Sequence, residues 1–318
     1  MLKRIIIKKN SYGNMKIYYN ANLANKHQKG IIAIGNFDGI HLGHQKVISQ
    51  AKKKAKKNKI PFGVMTFEPV PVMFFNQRIK NHRINSLNQK TNQLKKLKLD
   101  FLIIIKFNKK FSSQSPNEFI EKIIFKKTKS KFLYVSKNFK FGFKRQGNIK
   151  TLKKYSRLYN YNTVITKPLK RTTKVISSTI IRKKISQGKI YEINKLLNRN
   201  WRIQGKVIKG HKRGRKIGFP TCNVKILDYV IPKLGVYAVR VKTTKFVKKG
   251  IANIGYRPTF NGQNLLLEVN IFGINKNLYN KEINVDFIKF IRSEKKFKSL
   301  EQLKKQIKID IIQAKKNV

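Results

Sequence analysis

The chain is poor in acid, in sulfur and in long apolar runs, and each shortage closes off a class of protein. It has a single cysteine, Cys222. An intrachain disulfide is therefore excluded, and a reducing compartment, the cytoplasm, is expected. No stretch approaches the ~20 consecutive apolar residues of a membrane helix. The first residues, Met1-Leu2-Lys3-Arg4-Ile5-Ile6-Ile7, carry no signal-peptide core of useful length. A soluble protein without a membrane partner is expected. Only 13 Asp and Glu face 74 Lys and Arg, a formal net charge of +61, which ordinarily points to nucleic acid. The lysines, however, are spread over almost every helix and loop rather than gathered in a stripe. Asn and Ile are abundant beside them, and all three share A/T-rich codons. Compositional drift at solvent-facing positions accounts for this. No specific nucleic-acid partner is expected, only nonspecific polyanion binding at low salt. Hydrophobic content of 40% with 11% aromatics is enough for real cores.

So few carboxylates can be surveyed completely. Glu118 and Glu121 follow Pro116, and Glu301 follows Ser299, in first helical turns where a carboxylate offsets the helix dipole. Asp38, Glu68 and Glu268 stand inside apolar or patterned segments and need another explanation.

What is present centres on Gly35-Asn36-Phe37-Asp38-Gly39-Ile40-His41-Leu42-Gly43-His44-Gln45. An apolar run, Ile31–Ile34, reads as a buried strand before it, and Gln45–Asn58 keeps helical spacing after it. Strand, glycine-rich turn and helix start together favour an anion at the unpaired helix amides. Two of the five histidines fall in this turn, where they can donate to phosphate oxygens. The His-x-Gly-His pattern resembles the signature of nucleotidyltransferases that transfer AMP or CMP.

In chain order, residues 2–7, 31–35, 60–67, 101–107, 132–136 and 161–166 read as strands. Residues 86–98, 116–127 and 148–159 read as helices. This alternation predicts a parallel sheet covered on both faces, with ligands beyond the carboxyl ends of its strands. Glu68-Pro69-Val70-Pro71 ends one strand. Asn138-Phe139-Lys140-Phe141-Gly142-Phe143 reads either as a strand edge or as an aromatic wall for a flat ring. Ser177-Ser178-Thr179 opens a helix, as caps or as phosphate contacts, with Arg182 one turn on.

After Gly188 the pattern changes to short strands with Gly and Pro punctuation, the signature of an antiparallel barrel. A boundary at 187/188 is expected. Gly210-His211-Lys212-Arg213-Gly214-Arg215-Lys216-Ile217-Gly218 is a basic glycine loop able to cover phosphates, though a surface hairpin reads equally well. Gly218-Phe219-Pro220-Thr221-Cys222-Asn223 follows; Thr221 and Asn223 offer neutral oxygens on one side, suited to Mg²⁺. Residues 265–272 read as a strand whose polar side carries Glu268, able to take a hydroxyl proton. A terminal helix is expected over 300–314.

The four N-terminal strings, in this order and spacing, resemble the FMN adenylyltransferase module of prokaryotic bifunctional riboflavin kinase/FAD synthetases. Gly210–Asn223, Asn253-Ile254-Gly255-Tyr256-Arg257-Pro258-Thr259, Glu268 and Arg292-Ser293-Glu294 resemble the riboflavin kinase module of the same family. Departures are Val70, Lys137, Cys222 and Asn270, where relatives often carry other residues. The resemblance implies a Rossmann-like nucleotidyltransferase domain over 1–187 and a β-barrel kinase domain with a terminal helix over 188–318. It implies riboflavin, FMN and ATP as substrates and Mg²⁺ as cofactor. In the first domain it assigns ATP to Gly35, Phe37, Asp38, Gly39, His41, Gly43, His44, Ser177, Ser178, Thr179 and Arg182. There it assigns FMN to Asn36, Pro69, Asn138, Phe139, Phe141 and Gly142. In the second it assigns ATP to Gly210, His211, Gly214, Arg215, Gly218, Pro220, Thr221 and Asn223, with Mg²⁺ on the last two. The flavin goes to Asn253, Gly255, Arg257 and Arg292. Glu268, His41 and His44 would be catalytic, and a monomer or weak homo-oligomer is expected. The competing readings are a remnant with one working half and a basic nucleic-acid-binding protein on this scaffold.

Overall fold

The run Ile31–Ile34 shows the plan of the first half. In the computed structural model, which describes residues 15–171, 174–210, 213–259, 262–274 and 276–318, all four side chains are buried. They alternate: Ile32 and Ile34 enter one apolar core, Ile31 and Ala33 another. A strand buried on both faces requires a layer on each, which crossover helices over a parallel sheet supply. The sheet has six strands: β1 (Lys16–Tyr18), β2 (Ile31–Ile34), β3 (Phe62–Glu68), β4 (Phe101–Lys106), β5 (Phe132–Ser136) and β6 (Asn162–Thr166). Their order is β1-β4-β3-β2-β5-β6 and every pairing is parallel. The winding reverses between β2 and β5, so a crevice opens beyond their carboxyl ends. The Gly35–Gln45 string leaves β2 at that point.

Several expected bounds shift. The strand read at 2–7 lies outside the described residues, and a strand too short to show a pattern, β1, joins the sheet edge. The first long helix begins at Leu42 rather than Gln45 and runs to Asn58. The helix expected from Pro116 opens with a capping box: Ser115 Oγ accepts from Glu118 N at 3.1 Å, and Glu118 Oε2 accepts from Ser115 N at 2.9 Å. It continues as a π-helix over Phe119–Thr128. A separate antiparallel pair, β7 (Lys170–Arg171) and β8 (Lys174–Val175), follows the sheet.

The second half closes on itself. Strands β9 (Arg202–Ile208), β10 (Cys222–Lys225), β11 (Gly235–Lys242), β12 (Val247–Thr259), β13 (Gly262–Ile271) and β14 (Glu282–Arg292) form an antiparallel barrel in the order β10-β13-β12-β11-β14-β9. Closure removes the sheet edges that short strands would expose. The terminal helix spans Leu300–Asn317.

Contacts divide the chain into Met1–Lys80 with Leu87–Ile176, and Asn81–Ser86 with Ser177–Val318. The second unit thus takes in the Ser178–Ser186 helix, upstream of the expected boundary, because that helix packs on the Ile190–Leu197 helix and Ile185 O accepts from Lys233 N at 3.2 Å. It also takes in residues 81–86. Arg83 pairs with Asp228, Val230 N donates to Arg83 O at 2.8 Å, and the buried Trp201 Nε1 donates to Ile84 O at 2.9 Å.

His27 generates a prediction. It is buried, takes a 2.7 Å hydrogen bond with Tyr18 Oη and stacks on Phe101 at 5.1 Å. Burial, then Lys26, push its pKa below the ordinary 6.5. The fold therefore prefers the neutral ring, and its contribution is complete above that value and lost as pH falls through the lowered one. The wild-type melting temperature should drop on going from pH 7 to pH 5 by more than that of His27→Gln. Equal drops would show that His27 does not contribute.

Candidate active sites

The turn after β2 is held in a conformation that its sequence does not favour. Gly35 N donates to Met65 O at 3.1 Å, and then Phe37 (φ 47), Gly39 (φ 85) and Ile40 (φ 39) all take left-handed backbone. The earlier helix start places His41 as the N-cap, its Nδ1 accepting from His44 N at 3.3 Å. The two rings stack, centroids 3.7 Å apart. Gly43 permits this, since a Cβ there would lie 3.1 Å from His41 Nδ1 and Cε1 and 3.4 Å from Ile176 O. Phe37, Asp38, Ile40 and His41 are buried, and Asn36 is exposed. Glycine backbone, helix amides and two adjoining imidazoles thus converge at the carboxyl end of β2, an arrangement that receives phosphate oxygens.

The Asn138–Phe143 string sends Phe141 into the core of this unit. Phe141 is buried, stacks on Phe139 at 5.5 Å and meets Phe119 at 5.3 Å. Gly142 (φ 73) lies so near Pro116 that a Cβ would come within 2.7 Å of its N. Asn138 is exposed and Pro69 half-buried. Aromatics that the sequence reading passed over, Phe74, Phe75 and Phe107, form edge contacts of 5.3–5.6 Å, with Phe75 65% exposed.

Ser177–Arg182 lies in the second unit. Ser177 Oγ caps its helix by accepting from Ile180 N at 3.3 Å, and Arg182 Nε donates to His82 O at 2.8 Å. Ser178 is half-buried and Thr179 exposed.

In the barrel, register does the assembling. Glu268 on β13 pairs with Asn223 on β10 and with Asn253 on β12. Directly paired residues share a face, so three polar groups stand in a row. Gly210 lies against Asn223, whose Nδ2 would be 1.6 Å from an added Cβ. An added Cβ on Gly214 would meet Phe219 O at 2.5 Å and Thr221 Oγ1 at 3.1 Å. The glycine loop, which includes a helical turn at Arg213–Lys216, therefore folds onto Thr221 and Asn223. Asn270 Nδ2 donates to Pro220 O at 2.6 Å. Gly218 is left-handed (φ 90) and Gly255 buried in β12. His211 and the Arg257 side chain lie outside the described residues.

Two cavities meet here. One of about 540 Å³ is lined by Phe219, Asn253, Glu268, Asn270 and Arg292 and by Leu303 and Ile307 of the terminal helix. The other, of about 390 Å³, is lined by Arg215, Pro220 and Cys222 and by the apolar Val207, Val269 and Leu278. Thr221 lines both. Burial pushes the Cys222 thiol up to about 11, which makes it a poor nucleophile.

Sequence reasoning passed over two charged residues. Lys90 is 1% exposed, and its Nζ donates to Asn36 O at 3.0 Å. Its spacing from Leu87 and Leu94 put it on the helix's apolar side, but among so many lysines it did not stand out. Asp310 is equally buried and binds the Arg292 guanidinium with both oxygens, at 2.7–3.0 Å. Arg292, expected at the flavin, thus also ties the barrel to the terminal helix.

A family profile for FAD synthetase matches residues 23–180, and one for riboflavin kinase matches 197–318. Among curated proteins, the bifunctional riboflavin kinase/FMN adenylyltransferase of Buchnera aphidicola from Schizaphis graminum is 41% identical, covering 93% of this chain and 96% of the relative. The Haemophilus influenzae protein of the same description is 39% identical, over 89% and 92%. The Escherichia coli K12 protein is 34% identical, over 92% and 95%. A crystal structure described as a macrolide-efflux protein from Streptococcus pneumoniae superposes with TM-score 0.83 at 30% identity, covering 95% of this chain and 98% of that one. Among the described residues, no helix here is long and apolar enough to cross a membrane.

The Arg292–Asp310 pair can be tested directly. Asp310→Asn leaves a mostly buried guanidinium without its counter-charge, which should cost about 3 kcal/mol. Trp201, the chain's one tryptophan, is buried in the barrel unit and reports its unfolding by fluorescence. An unchanged denaturation midpoint would mean that the pair does not hold the helix.

Proposed function

The chain belongs to the bifunctional riboflavin kinase/FMN adenylyltransferase family, and from that membership we propose how its own residues divide the two reactions. The chain phosphorylates riboflavin to FMN with ATP in its C-terminal half and adenylylates FMN to FAD with ATP in its N-terminal half.

The single observation that carries the kinase assignment is that Thr221 lines both barrel cavities. Phosphoryl transfer needs donor and acceptor to meet at one point, with the γ-phosphate between them. The larger cavity, apolar on its helix side and carrying Glu268, takes riboflavin. The smaller, with Val207, Val269 and Leu278, takes the purine. Glu268 accepts the proton of the ribityl 5′-hydroxyl as its oxygen bonds to the γ-phosphorus; the bond to the β-phosphate oxygen breaks and ADP leaves. Asn253, Gly255, Arg257 and Arg292 surround the flavin. Gly210, His211, Gly214, Arg215, Gly218 and Pro220 cover the phosphates. Thr221 and Asn223 fit Mg²⁺: they are neutral oxygen donors under a glycine cradle that a Cβ would fill. An ion held there would neutralise phosphate charge.

In the sheet unit, the FMN phosphate oxygen attacks the α-phosphorus of ATP, the bond to the β-phosphate breaks, and pyrophosphate leaves. A phosphate is already anionic and needs no base. His41 and His44 supply donors to the charge that builds on the α-phosphate. Gly35, Phe37, Asp38, Gly39 and Gly43 shape the turn around it. Asn36, Pro69, Asn138, Phe139, Phe141 and Gly142 serve the FMN side. Ser177, Ser178, Thr179 and Arg182 offer hydroxyl and guanidinium contacts to the phosphates of ATP. A reducing cytoplasm suits the single, half-buried thiol.

Two substitutions separate the halves. His41→Ala should lower FAD formation from FMN by about a hundredfold or more, the worth of a donor at developing charge, and spare FMN formation from riboflavin. Glu268→Ala should do the reverse; loss of both reactions in either folded variant would contradict the division. Gly210→Ala is a finer test, because its Cβ displaces only the tip of the Asn223 side chain. Flavin chromatography should show riboflavin phosphorylation falling, adenylylation intact and the melting temperature little changed. Full kinase activity in that variant would remove Asn223 from the phosphate site.

A further inference from the structure

The carbonyl of Asn36 faces away from the histidines' turn into the protein, where two donors meet it. Lys90 Nζ reaches it at 3.0 Å and Thr66 Oγ1 at 3.0 Å, and Lys90 Nζ also lies 3.3 Å from Thr66 Oγ1. Lys90 and Thr66 are both buried, at 1% and 0% exposure. A buried ammonium is costly unless it is well bonded, so a lysine placed at this backbone oxygen calls for a reason.

Peptide planarity supplies one. The Asn36–Phe37 bond is trans, since among the described residues the one cis bond is Glu68–Pro69. In a trans peptide the carbonyl and the following N–H point in opposite directions. Fixing the Asn36 oxygen on Lys90 therefore fixes the Phe37 N–H on the opposite side of the turn. Among the described residues, no acceptor takes that N–H. The same peptide leads into Phe37, whose left-handed backbone (φ 47) is unfavourable for an aromatic residue and must be held from outside. A cation on the carbonyl also polarises the peptide, which makes the opposed N–H a stronger donor.

We propose that Lys90 is a positioning residue for adenylyl transfer: its ammonium, with Thr66, locks the Asn36–Phe37 peptide so that the Phe37 N–H is presented to a phosphate oxygen of ATP. This rests on the adenylyltransferase reading of the same turn. Lys90 itself touches no substrate. Its role passes through one peptide group.

Lys90→Met keeps the length of the side chain and removes the donor, Lys90→Gln keeps a neutral donor, and Thr66→Val removes the second donor without changing shape. Each full-length variant is assayed for FAD formation from FMN and, separately, for FMN formation from riboflavin. Lys90→Met should lose about ten- to a hundredfold in kcat/KM for ATP in adenylylation, the worth of a hydrogen bond to a charged donor. Its KM for FMN, its riboflavin phosphorylation and its melting temperature should stay near wild type. Lys90→Gln should recover part of the loss, and Thr66→Val should lose a few-fold. A merely structural lysine would lower stability and the active fraction without moving KM for ATP. Wild-type adenylylation in Lys90→Met overturns the proposal, as does Lys90→Gln being no better than Met. If Lys90→Met does not fold, Lys90→Gln and Thr66→Val decide, and normal KM for ATP in both overturns it. Should the wild-type chain make no FAD from FMN, the adenylyltransferase reading itself has failed, which is a separate result.

Discussion

The sheet unit depends on a turn that would not keep its shape alone. Phe37 and Ile40, neither a glycine, both hold left-handed backbone within four residues of each other, at about 1–3 kcal/mol apiece. Such strain persists only where the surroundings over-determine it. Here β2, buried on both faces, fixes one end, and the Leu42–Asn58 helix, capped by His41, fixes the other. Phe37 and Ile40 bury their side chains in the core under the sheet. The two histidines stack because that frame brings helix start and turn together, with Gly43 leaving room for the ring. Few reactive side chains are needed, because transfer from a nucleotide depends chiefly on positioning and charge.

The barrel reaches a similar end by other means. No strained turn gathers Asn223, Glu268 and Asn253; the antiparallel register of three strands does. A slip of one residue would turn Glu268 to the other face. Closure protects that register, and the Arg292–Asp310 pair ties the terminal helix beside the larger cavity. In both units, then, backbone geometry brings the candidate groups together.

What the sequence reveals of this is the local part. The glycine and histidine turn, the Gly-Phe-Pro-Thr string and the polar side of β13 are each written within a few neighbouring residues, so a local pattern is enough to single them out. The first helix was placed late because Leu42-Gly43-His44 shows no apolar period. Lys90 was hidden by composition, since one buried lysine looks like dozens of exposed ones. Asp310 was hidden by its neighbours: Ile309 and Ile312 point outward while the aspartate is buried, an inversion that periodicity cannot anticipate. The attachment of residues 81–86 to the barrel unit was out of reach for a third reason. Arg83 finds its partner, Asp228, 145 positions along the chain, and no local pattern encodes such a pairing.

If each half carries its own reaction, the two activities can be supplied by two different molecules of the chain. The most direct test mixes two full-length variants, Glu268→Ala and His41→Ala, with riboflavin, ATP and Mg²⁺ and follows the flavins by chromatography. Alone, the first should leave riboflavin untouched and the second should stop at FMN. Together they should make FAD, because FMN released by one protein is adenylylated by the other. A mixture that halts at FMN, while the Glu268→Ala protein still converts supplied FMN, would contradict that independence.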